Sequence, residues 1–261
     1  MVVGTGFIFA ILLGVLVGML SAMFGIGGGV VMVPMIRLLF HQAAAIASAT
    51  SLFAILPTSI AGVISRHKEG NINYKIGALV GIAGALTSPL GATLATHLPG
   101  IIAMVLTAIV IIITAIKQFK DARRLRVEGD DSTTQAKASG IWYYLGAILL
   151  GLFIGTFSGF LGLGGGFIVV PLLCMLYGMT IKQASATSLV AIVILGIPGV
   201  IAHALYGNIN YLLALSFILG SVPGAKLGAL VVSKTSNRKL TIAFAIVLLI
   251  AGVALAVNEL L

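Results

Sequence analysis

The chain repeats itself in one register. Ala47-Ser48-Ala49-Thr50-Ser51-Leu52 returns, every residue identical, as Ala184-Ser185-Ala186-Thr187-Ser188-Leu189. The displacement that takes Ala47 to Ala184 also carries Gly25-Ile26-Gly27-Gly28-Gly29 onto Gly162-Leu163-Gly164-Gly165-Gly166, and Gly70-Asn71-Ile72-Asn73-Tyr74 onto Gly207-Asn208-Ile209-Asn210-Tyr211. It carries Pro34 onto Pro171 and Leu90-Gly91-Ala92 onto Leu227-Gly228-Ala229 as well, without a gap. Apolar sequences resemble one another by chance, but chance does not hold one register for this distance. The chain therefore divides into a first repeat, residues 1–116, a polar linker, 117–139, and a second repeat, 140–261.

Each half holds five apolar stretches, near 5–24, 30–40, 43–65, 75–96 and 100–116, then 141–161, 167–178, 184–205, 211–232 and 240–257. With 60% apolar and 8% charged residues, the chain lacks the polar shell that water demands of a soluble fold, which carries about 25% charged residues. The solvent is lipid. A crossing helix needs about 20 residues, so the second stretch of each half is too short to cross alone, and both short stretches follow a glycine run. The single cysteine, Cys174, excludes an internal disulfide framework. The apolar N-terminus has no basic segment before it and reads as a first membrane segment rather than a removable signal.

An odd number of crossings per half turns the second half upside down relative to the first. Placing the linker in the cytoplasm puts Arg66, Lys68, Lys75, Lys117, Lys120, Arg123, Arg124, Arg126, Lys137, Lys182, Lys234, Arg238 and Lys239 inside, 13 of the 15 basic residues. Arg37 falls outside and Lys226 within a span. The expected fold is thus an all-α polytopic membrane protein of two inverted-topology repeats, each with a Gly-broken short helix and both termini outside. The +9 net charge then describes topology rather than affinity for nucleic acid.

Paired glycine breaks in corresponding segments of two inverted repeats point to a transporter's binding site. Gly27, Gly28 and Gly29 precede one half-helix, and Gly164, Gly165 and Gly166 precede the other. Free N–H groups and the positive dipole end at each start favour an anion. The competing reading is that the glycines only permit close helix crossing. Neither run fits a nucleotide-binding G-x-G-x-x-G, because Val30 and Phe167 take the last glycine's place. Ser48, Thr50 and Ser51, with Ser185, Thr187 and Ser188, could donate to an oxyanion, or could bond helix carbonyls instead. Ser21 and Ser158, just before the glycine runs, form a third hydroxyl pair.

Lys226, the one lysine well inside a predicted span, is a candidate for an anionic substrate, although its stem could also snorkel to the headgroups. Arg37 could close the first half-helix as a C-terminal charge, and His203 is expected at the interface. The Gly-Asn-Ile-Asn-Tyr runs read as turns, with asparagine capping the next helix. All six acids, Glu69, Asp121, Glu128, Asp130, Asp131 and Glu259, fall in expected loops or at the terminus, which leaves no intramembrane carboxylate for a metal or a proton relay. The four histidines lie at segment ends with no acid or cysteine beside them, so no catalytic set, no metal site and no cofactor site is expected.

The paired G-x-G-G-G runs followed by Pro34 and Pro171, the repeated A-S-A-T-S-L and the G-N-I-N-Y turns together resemble the TauE/SafE sulfite exporter family, also called the toluene sulfonate uptake permease family. The resemblance spans both halves. It implies a prokaryotic cytoplasmic-membrane protein that moves sulfite, organosulfonates such as sulfoacetate, or related small anions, usually outward. Residues and resemblance together give the expectation of a secondary transporter and not an enzyme, working by alternating access as one half rocks against the other. An anion channel or uniporter, or a carrier of another small organic anion, is the alternative. A small anionic substrate and membrane lipid are the expected partners, and a homo-oligomer is compatible with the sequence.

Overall fold

The computed structural model describes residues 2–97, 100–128, 140–161 and 164–260. Lys137 and the linker from 129 on lie outside the described residues, as do Gly162 and Leu163 of the second glycine run. Among the described residues, ten helices follow the ten apolar stretches: α1 (Val2–Phe24), α2 (Gly29–Leu39), α3 (Ala44–His67), α4 (Tyr74–His97), α5 (Gly100–Glu128), α6 (Ile141–Leu161), α7 (Gly166–Tyr177), α8 (Ile181–Leu205), α9 (Tyr211–Ser233) and α10 (Asn237–Leu260). Among the described residues, α1, α3, α4, α6, α8, α9 and α10 are long and apolar enough to cross a membrane, whereas α2 and α7, of 11 and 12 residues, are not. α5 continues past the apolar stretch to Glu128.

Glycine, alanine and hydroxyl residues make the closest helix contacts, Phe24, Ile26, Met32, Phe167 and Phe217 fill the core between them, and Leu12, Ile82, Leu86, Phe153, Ile201, Leu212 and Leu230 face outward. In lipid, apolar side chains gain nothing by hiding, so small residues that let backbones meet win the interfaces. α1 lies against α9, where a methyl group on Gly18 would collide with the Ser221 carbonyl, and α6 lies against α4, where one on Gly155 would collide with the Gly84 carbonyl. These are one contact made twice, since the displacement that relates the two halves takes Gly18 to Gly155 and Gly84 to Ser221.

The reciprocity extends to the centre. Gly62 of α3 faces Leu189 of α8, and Gly199 of α8 faces Leu52 of α3, so these equivalent helices run antiparallel. α5 and α10 also pack on each other. Helix starts follow from local chemistry. Asn73 Oδ1 accepts the Ile76 amide and Asn210 Oδ1 the Leu213 amide, each at 3.1 Å, after Gly70 and Gly207 in left-handed backbone. The Gly-Asn-Ile-Asn-Tyr runs are turns and caps. Thr180 and Gln183 form a capping box at α8.

Candidate anion site at the paired helix breaks

Both short helices begin at a backbone that only glycine adopts readily. Gly28, at φ 90°, is the N-cap of α2, and its carbonyl accepts the amides of Val31 and Met32 at 3.1 and 2.9 Å. Gly165, at φ 69°, is the N-cap of α7, and its carbonyl accepts those of Ile168 and Val169 at 3.0 Å each. A side chain in this left-handed region costs about 1–2 kcal/mol. No side chain caps either start. The third amide of each first turn, that of Val31 and of Ile168, is bonded to its N-cap carbonyl, and the positive end of each helix dipole lies at the break.

The two breaks meet. A Cβ on Gly27 would lie 2.7 Å from Ile55 and 3.4 Å from Ile192, and one on Gly164 would lie 3.4 Å from both. Gly166 abuts the Gly25 carbonyl and the Cα of Ile26. Gly27, Gly28, Gly29, Gly164, Gly165 and Gly166 are all buried. Two uncapped N-termini thus share an apolar surround of Ile55, Ile192, Val17 and Ile154, where low dielectric strengthens attraction for a negative group.

The hydroxyls divide into engaged and unengaged sets. Ser48 donates to the Leu161 carbonyl at 3.1 Å, Ser188 to the Gly25 carbonyl at 2.6 Å, and Ser185 to the Lys182 carbonyl at 3.0 Å. Thr50 and Thr187 accept the amides of Asn210 and Asn73. Ser21, Ser51 and Ser158 are buried and their hydroxyls have no partner. A buried hydroxyl left unpaired costs about 1–3 kcal/mol, and Ser59 and Ser88 are in the same state among the described residues. Ser21 and Ser158 stand beside the breaks, their Cβ atoms 3.5 and 3.4 Å from where a Cβ on Gly28 and Gly165 would be.

Two basic residues sit differently from their sequence reading. Arg66, counted there among the loop cations, is fully buried near the end of α3. Its guanidinium donates to Ser185 Oγ at 2.6 Å, the Lys182 carbonyl at 2.8 Å and the Ala22 carbonyl at 3.4 Å, and pairs with Glu69 at 3.3 Å. It thereby joins α1, α3 and α8 next to the first break. His203, expected at the interface, is likewise fully buried, and its Nε2 donates to the Gly159 carbonyl at 3.0 Å. Lys226 is exposed on α9, away from the buried cluster. Arg37, at the end of α2, donates to the Gln42 carbonyl at 3.0 Å. No group of three metal-ligating side chains occurs among the described residues.

Two clefts open at opposite ends of the α3–α8 pair. One, of about 600 Å³, is lined by Asn73, Tyr74, Lys75, Tyr143, Tyr177 and Gln183. The other, of about 200 Å³, is lined by Phe40, Gln42, Asn210, Leu213 and Ser216, which includes the displaced counterparts of Asn73 and Tyr177. Equivalent places in the two halves are thus open to unequal degrees.

The sequence model of the sulfite exporter TauE/SafE family matches residues 10–255. The chain is 32% identical over 215 residues to a probable membrane transporter protein, YdhB, of Bacillus subtilis (strain 168), covering 82% of this chain and 85% of that one. It is 28% identical over 261 residues to YunE of the same organism, another probable membrane transporter protein, with 94% and 96% covered. A third such protein, MJ0441 of Methanocaldococcus jannaschii, is 28% identical over 257 residues, with 93% and 92% covered. No solved structure matches the chain.

Proposed function

The chain belongs to the sulfite exporter TauE/SafE family and is a multi-pass helical membrane protein, and from that premise we propose that it is a secondary transporter exporting sulfite or a small organosulfonate across the cytoplasmic membrane. The observation that carries this reading is the meeting of two uncapped helix N-termini at Ile55 and Ile192, with unpaired hydroxyls at Ser21 and Ser158 beside them. Gly27–Gly29 and Gly164–Gly166 cradle the oxyanion through backbone N–H groups, and Ser21, Ser51 and Ser158 donate to its remaining oxygens. Ser48, Thr50, Ser185, Thr187 and Ser188 hold the surrounding helices in place. Lys226 takes no part.

The repeats are inverted in the membrane, with the linker cytoplasmic and both termini outside. Support comes from the antiparallel α3 and α8 and from the distribution of lysine and arginine. In this frame the 600 Å³ cleft faces the cytoplasm and the 200 Å³ cleft faces outward. Substrate enters from the larger side. The moving bodies are not the two halves, because α1 is locked on α9 and α6 on α4 by backbone contact. Each body instead draws helices from both halves. An inside-negative potential drives a monovalent anion outward with about 2.3 kcal/mol per 100 mV.

The test is binding followed by flux. Purified protein is heated with sulfite, sulfate, thiosulfate, sulfoacetate and taurine, and a ligand that binds the folded state raises its melting temperature. Stabilisation by sulfite or a sulfonate, together with its uptake or release in proteoliposomes, is the expected result. No stabilisation by any of these anions and no flux would sink the reading.

A further inference from the structure

Arg66 and His203 occupy the same place in the two halves, and so do their carbonyl acceptors, Ala22 and Gly159, since the displacement that takes Ala47 to Ala184 relates each pair. Each is a fully buried basic side chain near the end of a central helix, fastened to the last turns of the helix that precedes a glycine break. The fastenings are not equal. Arg66 also binds Ser185, the Lys182 carbonyl and Glu69, whereas His203 has the one bond, and its Nδ1 is buried without a partner. A carbonyl only accepts, so Nε2 carries the hydrogen and Nδ1 is the atom left to take up a proton.

We propose that His203 is a proton-binding site: protonation at Nδ1 releases the α8–α6 latch and opens the smaller cleft, while Arg66 keeps the opposite end tied at every pH. The proton comes from water, the neutral imidazole becomes an imidazolium, and no other bond is made. The new Nδ1–H has no acceptor inside the closed packing, and a buried cation without a counter-charge is costly, so the protonated ring favours the hydrated, open arrangement. The neighbourhood supplies no compensation. Along α3 from Ala44 to Leu52 and along α6 from Gly155 to Leu161 there is no ionisable side chain. Among the described side chains, the titratable and charged groups at this end are Arg37, His41, His97, Tyr206 and Tyr211, and Glu259 stands at the end of α10 on the same side. Arg37 donates to the Gln42 carbonyl and His97 binds the Thr93 carbonyl, and among the described side chains none of the five bonds to His203. The backbone links the latch to the cleft, since the His203 carbonyl accepts the Asn208 amide at 3.2 Å, just before cleft residue Asn210. This inference rests on the alternating-access reading of the same bundle.

Ser216 reports the opening, being 1% exposed on the wall of the smaller cleft. In detergent-solubilised full chain carrying Cys174→Ala and Ser216→Cys, the rate of labelling by a maleimide is measured from about pH 8 to about pH 5.5, across the ordinary histidine range. Each rate is divided by that of glutathione under the same conditions. The normalised rate is expected to rise on acidification, by up to about tenfold per pH unit for one linked proton, and to lose that dependence in His203→Gln. A flat profile with His203 present, or the same rise in His203→Gln, would overturn the proposal. Should His203→Gln not fold, the profile of the parent still decides, and His203→Arg, cationic throughout, is expected to label fast at all pH values. The labelling needs neither substrate nor flux. A flat profile alongside intact sulfite flux removes the latch and leaves the transporter, and absent flux with an intact profile does the reverse.

Discussion

The backbone N–H of Asn73 donates to Thr187 Oγ1 at 3.0 Å, and this bond joins the start of α4 to the second turn of α8. Its counterpart runs from Asn210 to Thr50, also at 3.0 Å. Threonine hydroxyls inside a membrane usually bond back to their own helix; here each is an acceptor for an orphan amide at another helix's cap. Thr187→Val keeps the shape and removes the acceptor, so it should cost about 1–2 kcal/mol. A lowered melting temperature in detergent for Thr187→Val and Thr50→Val, restored in Thr187→Ser, is the expected outcome.

Ser21→Ala and Ser158→Ala should behave in the opposite way. Neither hydroxyl has a partner among the described residues, so its removal leaves the unliganded melting temperature unchanged or higher. Sulfite loses a donor, and each variant should bind it about tenfold more weakly, the equivalent of one hydrogen bond to a charged group. Titrating the thermal shift with sulfite reads both effects at once.

Gly28→Ala places a side chain at φ 90° and within 2.7 Å of Val17 Cγ1, and Gly165→Ala places one within 2.5 Å of Ile154 Cγ2. Strain and overpacking add, so each should cost about 3 kcal/mol and abolish flux. Gly6→Ala, where nothing lies within 4 Å of the new methyl, is the control and should be neutral. Melting temperatures separate the two cases.

Arg66→Met removes the donor from Ser185 and from the Ala22 and Lys182 carbonyls, and leaves Glu69 without its partner. A loss on the order of 3 kcal/mol follows from stripping one side of a buried charged network. Arg66→Lys recovers only part of it, because an ammonium cannot reach all four acceptors that the guanidinium holds. Lys226→Gln, on the exposed face of α9, should leave stability and sulfite binding unaltered.

The ten helices and both breaks were legible in the sequence, since apolar runs and paired glycines are local signals. Burial of charge is not local. Arg66 looks like a loop cation when hydropathy is read along the chain, and only its acceptors at Ala22, Lys182 and Ser185 show why it is inside. A signal did exist: the displacement between the repeats places His203 opposite Arg66, two basic groups at one register. Lys226 misled for a related reason. It draws notice as an intramembrane lysine, but Gly224, Ala225, Gly228 and Ala229 mark the buried side of α9, and Lys226 lies with Leu227 and Leu230 on the other. Which hydroxyls are spent and which are free could not be read at all, because the carbonyls that Ser48 and Ser188 bind lie in the opposite half of the chain, at Leu161 and Gly25.

The major helix contacts, α1 with α9, α6 with α4, α4 with α8, α5 with α10, and α3 with α9 and α8, each join one half of the chain to the other. A polypeptide ending at the linker would therefore present the glycine edges of α1 and α4 to lipid with nothing to fill them. Such a fragment could complete its packing only by taking up a second copy of itself, lying antiparallel, and the full-length chain is in this sense a pair of dimer subunits already tethered to each other.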